Sequence, residues 1–486
     1  MLRVVLAAIV AASLLAAPAL AFDNTEPLAD RQWYLEHDNA WTFWPTVPKL
    51  YPVNVAVIDT GIDGTHPDLA GRVIAAKSFV GGSPYRDELG HGTFVAGLIA
   101  ANPSNGSGIA GLAFNARLMI AKVVDKDGNI SLQGEVQAIR WAADHGARVI
   151  NLSLGGVRDP LKPSLDTYSP LEEAAVEYAY SKGVVVVAAV GNGPQSPRTP
   201  WGFAHYPSAL PHVIGVSAVR QDGSVPDYSN RDVVYNDIAA PGDAIFSTIP
   251  TQLVEDRSEC LDRPYSDCGP SEFRQGIGTS FAAPQVSAAA ALLLGQDPAL
   301  TPDQVSWLLE RHADDADAAT GCARCPAGRD LYTGWGTLDV LSALSALTGG
   351  AALPAPDHLE PNDDAGPWAH AVPPLPRTVA ASVDYWDDNI DVYRLHLAKG
   401  SRLFARLTSA ARSAVRLALW PPGTQAVEPR TVGEKLTATP LTHSQPVGGQ
   451  VRLAFTARAS GTYYLEAKLV SPLRDPVQYR LALSRR

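Results

Sequence analysis

Basic residues are scarce and scattered in this chain: 39 Lys and Arg stand against 50 Asp and Glu, for a formal net charge of -11. No basic block offsets that balance, which argues against a general affinity for phosphate backbones or anionic membrane surfaces, so nucleic acid is not an expected partner. Long apolar runs are missing after the first residues, so no span of the mature chain is expected to cross a bilayer. Cysteine is nearly missing as well. Cys260, Cys268, Cys322 and Cys325 are an even set in polar loops, which suits an oxidising compartment and local pairing of Cys260 with Cys268 and Cys322 with Cys325. Bridges between the two loops are the alternative, whereas zinc is disfavoured because the spacing is unlike a pair of two-residue knuckles.

What the chain does have is length and apolar content. Its 486 residues, 46% apolar and 18% charged, are enough to bury a large core and suggest two domains. Met1 to Ala21 combine one positive charge at Arg3, an apolar run and a small-x-small ending at Ala19-Leu20-Ala21. That is the pattern of a secretory signal, cleaved after Ala21 to leave Phe22 first, and it places the mature protein in a secreted or periplasmic setting.

From about Val53 to Leu347, β-branched runs of strand length alternate with helical patterns. VNVAVID, ARLMIAKVV, ARVINLSLGG, GVVVVAAVGN and HVIGVSAV are near-continuous apolar runs, as parallel strands buried on both faces require. LQGEVQAIRWAADHG and LEEAAVEYAYSKG lie between them with helical spacing and terminal glycines suited to C-terminal caps. The expected fold is α/β, a doubly wound and mostly parallel sheet, whose ligands gather beyond the carboxyl ends of the strands.

Three remote segments supply complementary chemistry: VIDTGID at Asp59, HGTFVAG at His91 and GTSFAAP at Ser280. A serine hydroxyl is a weak nucleophile near neutral pH; it needs an adjacent base, and that base needs an acid to fix its tautomer. Asp59 closes a predicted strand, Asn192 and Ser153 follow two others, and His91 and Ser280 open predicted helices, where backbone N–H groups face developing negative charge. Pro284 then falls in about the first helical turn, where its missing N–H loses little. Singly, each residue has an ordinary explanation as a turn former or a cap; jointly they read as a serine peptidase.

The segments VAVIDTGIDGTHPDL, HGTFVAG, INLSLGG, VAAVGN and GTSFAAP, in this order across about residues 22 to 349, resemble the signature segments of the subtilisin-like serine peptidases. The resemblance implies that Asp59 orients His91, that His91 takes the proton of Ser280, and that the Asn192 amide and the Ser280 backbone N–H hold the oxyanion. It implies two backbone edges for substrate, Ser153-Leu154-Gly155 and Ala189-Val190-Gly191, and protein or peptide substrates paired as an added strand. A narrow-specificity processing peptidase and an inactive binding protein of the same fold are the rival readings.

The sequence departs from the family pattern in two places. His205 in AHYP stands where many relatives have a small residue, either in the specificity pocket or merely packed beside Tyr206. Phe22 to Tyr51 leave 30 residues, too few for a foldable prosegment, and LADRQWYLEHDNAW resembles the start of the mature domain. No cofactor is expected for the chemistry; structural calcium is an expectation at Asp68, Gln32 and the loop from Asn102.

After the connector GGAALPAPD, residues 358–486 alternate apolar and polar positions between Gly, Pro and Ser turns, as a small all-β sandwich does. In its run DVYRLHL, Val392, Arg394 and His396 are expected to face one way and Tyr393, Leu395 and Leu397 the core. HLEPNDDAGPWAHA and DYWDDNIDVYRLHL resemble the sandwich domain found at the C-terminus of secreted bacterial peptidases. Its cluster Asp384, Asp387, Asp388 and Asp391 is either a second calcium candidate or a solvated turn.

Overall fold

The computed structural model describes residues 25–43, 49–253, 272–411, 414–429, 434–447 and 450–486. The expected signal segment, Cys260 and Cys268 lie outside them. The first element is a short helix, α1 (Trp33–His37). Seven strands follow, β1 (Val53–Asp59), β2 (Val73–Ser78), β3 (Ala116–Lys122), β4 (Val149–Leu152), β5 (Val185–Ala189), β6 (Val213–Val219) and β7 (Ile238–Pro241). They pair in parallel in the order β2-β3-β1-β4-β5-β6-β7.

The apolar runs of these strands serve two cores, because alternate side chains leave opposite faces of a sheet. On β1, Val53, Val55 and Val57 enter one core and Ala56 and Ile58 the other. The first core is closed by α2 (His91–Ala100), and the second by α3 (Leu132–Asp144) and α4 (Pro170–Ser181). Ser131 and Ser169 cap α3 and α4 by accepting from Gly134 and Glu172. After the small antiparallel pair β8 (Ile245–Thr248) and β9 (Phe273–Gly276), the long helix α5 (Thr279–Gln296) fills the first core, followed by α6 (Pro302–Arg311) and α7 (Val340–Thr348).

The N-terminal stretch belongs to this body. Tyr34, Leu35, Ala40 and Trp41 are buried in the first core, and the Tyr34 hydroxyl donates to the Phe246 carbonyl at 2.8 Å. The sulfurs of Cys322 and Cys325 sit at disulfide distance. No helix among the described residues is long and apolar enough to cross a membrane.

The C-terminal strands are β10 (His370–Ala371), β11 (Arg377–Val383), β12 (Ile390–Leu397), β13 (Arg402–Ser409), β14 (Val415–Trp420), β15 (Thr442–His443), β16 (Gln445–Val447), β17 (Gln450–Thr456), β18 (Gly461–Leu469) and β19 (Val477–Arg485). They form two five-stranded sheets, β10-β12-β18-β14-β15 and β11-β19-β13-β17-β16, antiparallel except for the β10–β12 pair. Tyr393, Leu395 and Leu397 enter the sandwich core. Val392 does not join Arg394 and His396 in solvent, because a second apolar cluster with Ile390, Ala418, Trp420 and Val427 covers that end of β12.

Candidate active site

Asp59 ends β1 and His91 begins α2, and the chain brings them together closely enough that only glycine fits at the next helical position. A Cβ on Gly92 would lie 2.2 Å from the Gly61 carbonyl oxygen. The Asp59 carboxylate is buried and meets the His91 Nδ1 at 2.8 and 3.0 Å, while its Oδ1 also accepts from the Thr60 N–H at 2.7 Å. A carboxylate against Nδ1 holds the proton there and leaves Nε2 as the ring nitrogen that bears a lone pair. The His91 ring packs tilted on Phe281, the residue after Ser280, with centroids 5.5 Å apart.

A cleft of about 310 Å³ opens over this pair and is lined by Asp59, His91, Asn192 and Ser280 together with both expected backbone edges. Ser153, Leu154, Gly155, Ala189 and Gly191 reach it. Val190 does not line it: it is fully buried, and its carbonyl accepts from the His205 N–H and from Asn230. The alternation of a strand explains the difference, since the residue between two cleft-facing neighbours points the other way.

Asn192 is oriented by its carbonyl end. Its Oδ1 accepts from the Thr279 N–H at 3.0 Å and from the Thr279 hydroxyl at 3.2 Å, which leaves the NH2 end to donate beside the Ser280 turn. Its amide nitrogen has a long contact of 3.4 Å to Gln195.

Helix α5 starts at Thr279, so Pro284 lies in the second turn rather than the first. A proline there removes the N–H that would bond the carbonyl four residues back, which is that of Ser280. The structure supplies a substitute: the Ser153 hydroxyl donates to the Ser280 carbonyl at 2.7 Å. Ser153 is itself held by Asn151, and Asn151 by Ser287 of α5, each at 2.9 Å. A residue expected only as a substrate edge thus also fixes the backbone of Ser280.

His205 lines the cleft and is nearly buried. Its Nε2 contacts the Ser196 hydroxyl at 2.8 Å, and burial pushes its imidazole down to about 4, so it is neutral at physiological pH. Gly191 makes room for the ring: at φ +93° it takes a backbone conformation that disfavours side chains, and a Cβ there would lie 2.5 Å from the His205 Nδ1.

Two supporting residues escaped sequence reasoning. Asp87 is fully buried behind His91 and accepts from the Thr60 hydroxyl, from the Thr93 N–H and hydroxyl and from the Gly90 N–H. Burial raises its carboxyl, and the nearby Asp59 adds to the rise. Lys122, at the end of β3, donates to the Thr60 carbonyl at 2.7 Å and pairs with Glu88 at 2.5 Å. The available signals were a carboxylate four residues before His91 and a buried lysine closing a strand whose other charged residue, Arg117, is exposed.

At the expected calcium position, Asp68 accepts from the Asn105 amide and the Ile109 N–H at 2.8 Å each, and the Gln32 side-chain oxygen accepts from the Ala110 N–H.

The sequence profile of the Subtilase family matches residues 52–336. The chain belongs to the subtilase family. It is 39% identical over 254 residues to the Thermophilic serine proteinase of Bacillus sp. (strain AK1), covering 52% of this chain and 55% of that protein. It is 37% identical over 244 residues to Thermitase of Thermoactinomyces vulgaris, covering 50% and 75%. The chain thus spans about half the length of the first of these relatives. Among solved structures, Sphericase superposes with a TM-score of 0.51 at 30% identity, covering 63% of this chain and 97% of that one.

Proposed function

We propose that this subtilase is an exported serine endopeptidase that cleaves internal peptide bonds through an acyl-enzyme on Ser280. The observation that carries the reading is the Asp59 carboxylate held against the His91 Nδ1 on the wall of a cleft that also presents Ser280 and Asn192. In this mechanism the His91 Nε2 takes the Ser280 proton as the hydroxyl attacks a peptide carbonyl, and Asp59 stabilises the imidazolium. The tetrahedral oxyanion accepts hydrogen bonds from the Asn192 NH2 and the Ser280 N–H, the latter at the positive end of α5. The imidazolium then gives its proton to the leaving amine, and water repeats the sequence on the ester.

The two backbone edges pair with substrate main chain, which accepts many sequences. His205 restricts one pocket with a neutral, hydrogen-bonded ring, so bulky side chains beside the scissile bond are disfavoured. That favours a narrower cleavage pattern than an open pocket gives. Purified protein is expected to hydrolyse casein and to be labelled at Ser280 by a fluorophosphonate. Ser280→Ala is expected to lose turnover by roughly 10⁶-fold, the scale of loss for the same change in subtilisin itself. Retained hydrolysis in that variant would sink the assignment, and a wild-type protein that neither reacts nor hydrolyses would mark an inactive binding protein.

A further inference from the structure

Where the sandwich meets the seven-stranded unit, buried carboxylates outnumber the cations that face them. Asp384 and Asp387, half of the cluster expected from sequence, are taken up by Arg311 of α6, whose guanidinium lies 2.9 Å from Asp384 and 3.9 Å from Asp387. Arg329 is likewise committed to Asp237 at 3.2 Å. The other half is left with one imidazole. His212 contacts Glu177 at 3.1 Å and stands 4.0 Å from Asp363.

Glu360, Asp363 and Asp388 bring one oxygen each, with a His212 nitrogen, to within 4.8 Å of one another, and Asp357, Glu360 and Asp391 form an overlapping group of the same width. Separately, one oxygen of each of Asp363, Asp388 and Asp391 is buried with no hydrogen-bond partner. Asp391 is fully buried, and its other oxygen accepts from the Tyr479 hydroxyl. An unpartnered buried carboxylate oxygen is costly, and a divalent cation removes the cost for several at once.

Three of the four donors are carboxylate oxygens, the choice of hard cations; the His212 Nδ1 is engaged by Glu177, and its Nε2 is buried without a partner. Oxygens on opposite sides of a calcium ion stand about 4.6–5.2 Å apart, so atoms that all lie within 4.8 Å of one another can share one ion. We propose that Glu360, Asp363 and Asp388, with Asp391 and Asp357 adjoining them through the shared Glu360, bind a calcium ion at the seam, and that the ion fastens the sandwich to the peptidase unit where His212 meets it. The proposal does not depend on catalysis.

The test uses the full chain carrying Ser280→Ala, to prevent self-cleavage, and Asp68→Asn, to remove the other calcium candidate. After chelator treatment, calcium titrated by calorimetry, and terbium luminescence excited through tyrosine and displaced by calcium, are expected to report tight binding. Asp363→Asn and Asp388→Asn, shown folded by circular dichroism, are each expected to weaken it at least tenfold. No calcium uptake by the folded parent, uptake of zinc in preference to calcium, or unchanged affinity in both variants would overturn the site. Should either variant fail to fold, the melting temperature of the parent decides: calcium is expected to raise it, and no rise overturns the site.

Discussion

The cleft and the seam both bury carboxylates, and they satisfy them differently. Behind His91, Asp87 is saturated by N–H groups and a hydroxyl from Gly90 and Thr93 nearby and by the Thr60 hydroxyl from the end of β1, and the result is a fixed platform for one imidazole. At the seam, acids from the sandwich meet cations from the peptidase unit, and the cations run short. A saturated acid positions its neighbours, whereas an undersupplied one attracts a counter-ion, so similar burial fixes an imidazole in one place and leaves charge uncompensated in the other.

The sharpest way to break that comparison is at Arg311, which is almost fully buried, bonds Glu310 at 2.6 Å and Asp384 at 2.9 Å, and lies 4.0 Å over the Trp335 ring. Arg311→Leu strands two buried acids and is expected to cost about 3–5 kcal/mol in denaturant unfolding. A loss below about 1 kcal/mol would mean that the seam is no ion-paired joint. Next in size is Asn192→Ala at the cleft, expected to lower kcat by about 10²–10³ with KM little changed, the range found for the corresponding amide of subtilisin itself. Equal loss in kcat with a large rise in KM would make Asn192 a binding residue instead.

The difference between the regions is also a difference in legibility. Asp59, His91, Asn192 and Ser280 were readable because each sits in a short segment whose own residues build its turn or helix start, and the parallel sheet was readable because continuous apolar strands have few alternatives. That all four line one cleft was not local information, yet strand-end geometry implied it. The helix start was located to within one residue, but what makes Pro284 tolerable in the second turn was not legible, because the carbonyl it orphans is met by Ser153, 127 positions away. The seam was opaque for the same reason on a larger scale. Nothing near His212 or Arg311 in the sequence announces Asp363 or Asp384, and only docking of the two units creates those pairs. Val392 shows the limit of period-two reading, since both faces of one end of β12 are covered.

Acid should expose the cleft's dependence on a neutral ring. The His205 pKa falls from 6.5 to about 4 on folding because burial penalises its charged form. The unfolded chain therefore binds this proton first, so the His205 contribution is intact above pH 6.5 and is lost as pH falls from 6.5 through 4. A shift of that size corresponds to about 3 kcal/mol. His205→Gln is expected to flatten the stability profile over this window, and an unchanged profile would place the acid sensitivity elsewhere.

The smallest expected effect separates a substrate edge from a structural brace. If the Ser153 hydroxyl replaces the hydrogen bond that Pro284 denies to the Ser280 carbonyl, Ser153→Ala should destabilise by about 1–2 kcal/mol. Pro284→Ala restores an N–H four residues beyond Ser280, so with it in place the Ser153 hydroxyl becomes redundant and its removal should cost only a few tenths of a kcal/mol. The double variant is thus expected to be more stable than the sum of the single changes predicts, in thermal melts of the chelated protein. Strict additivity would mean that the two residues act independently, and the 2.7 Å contact would then be incidental to holding the nucleophile.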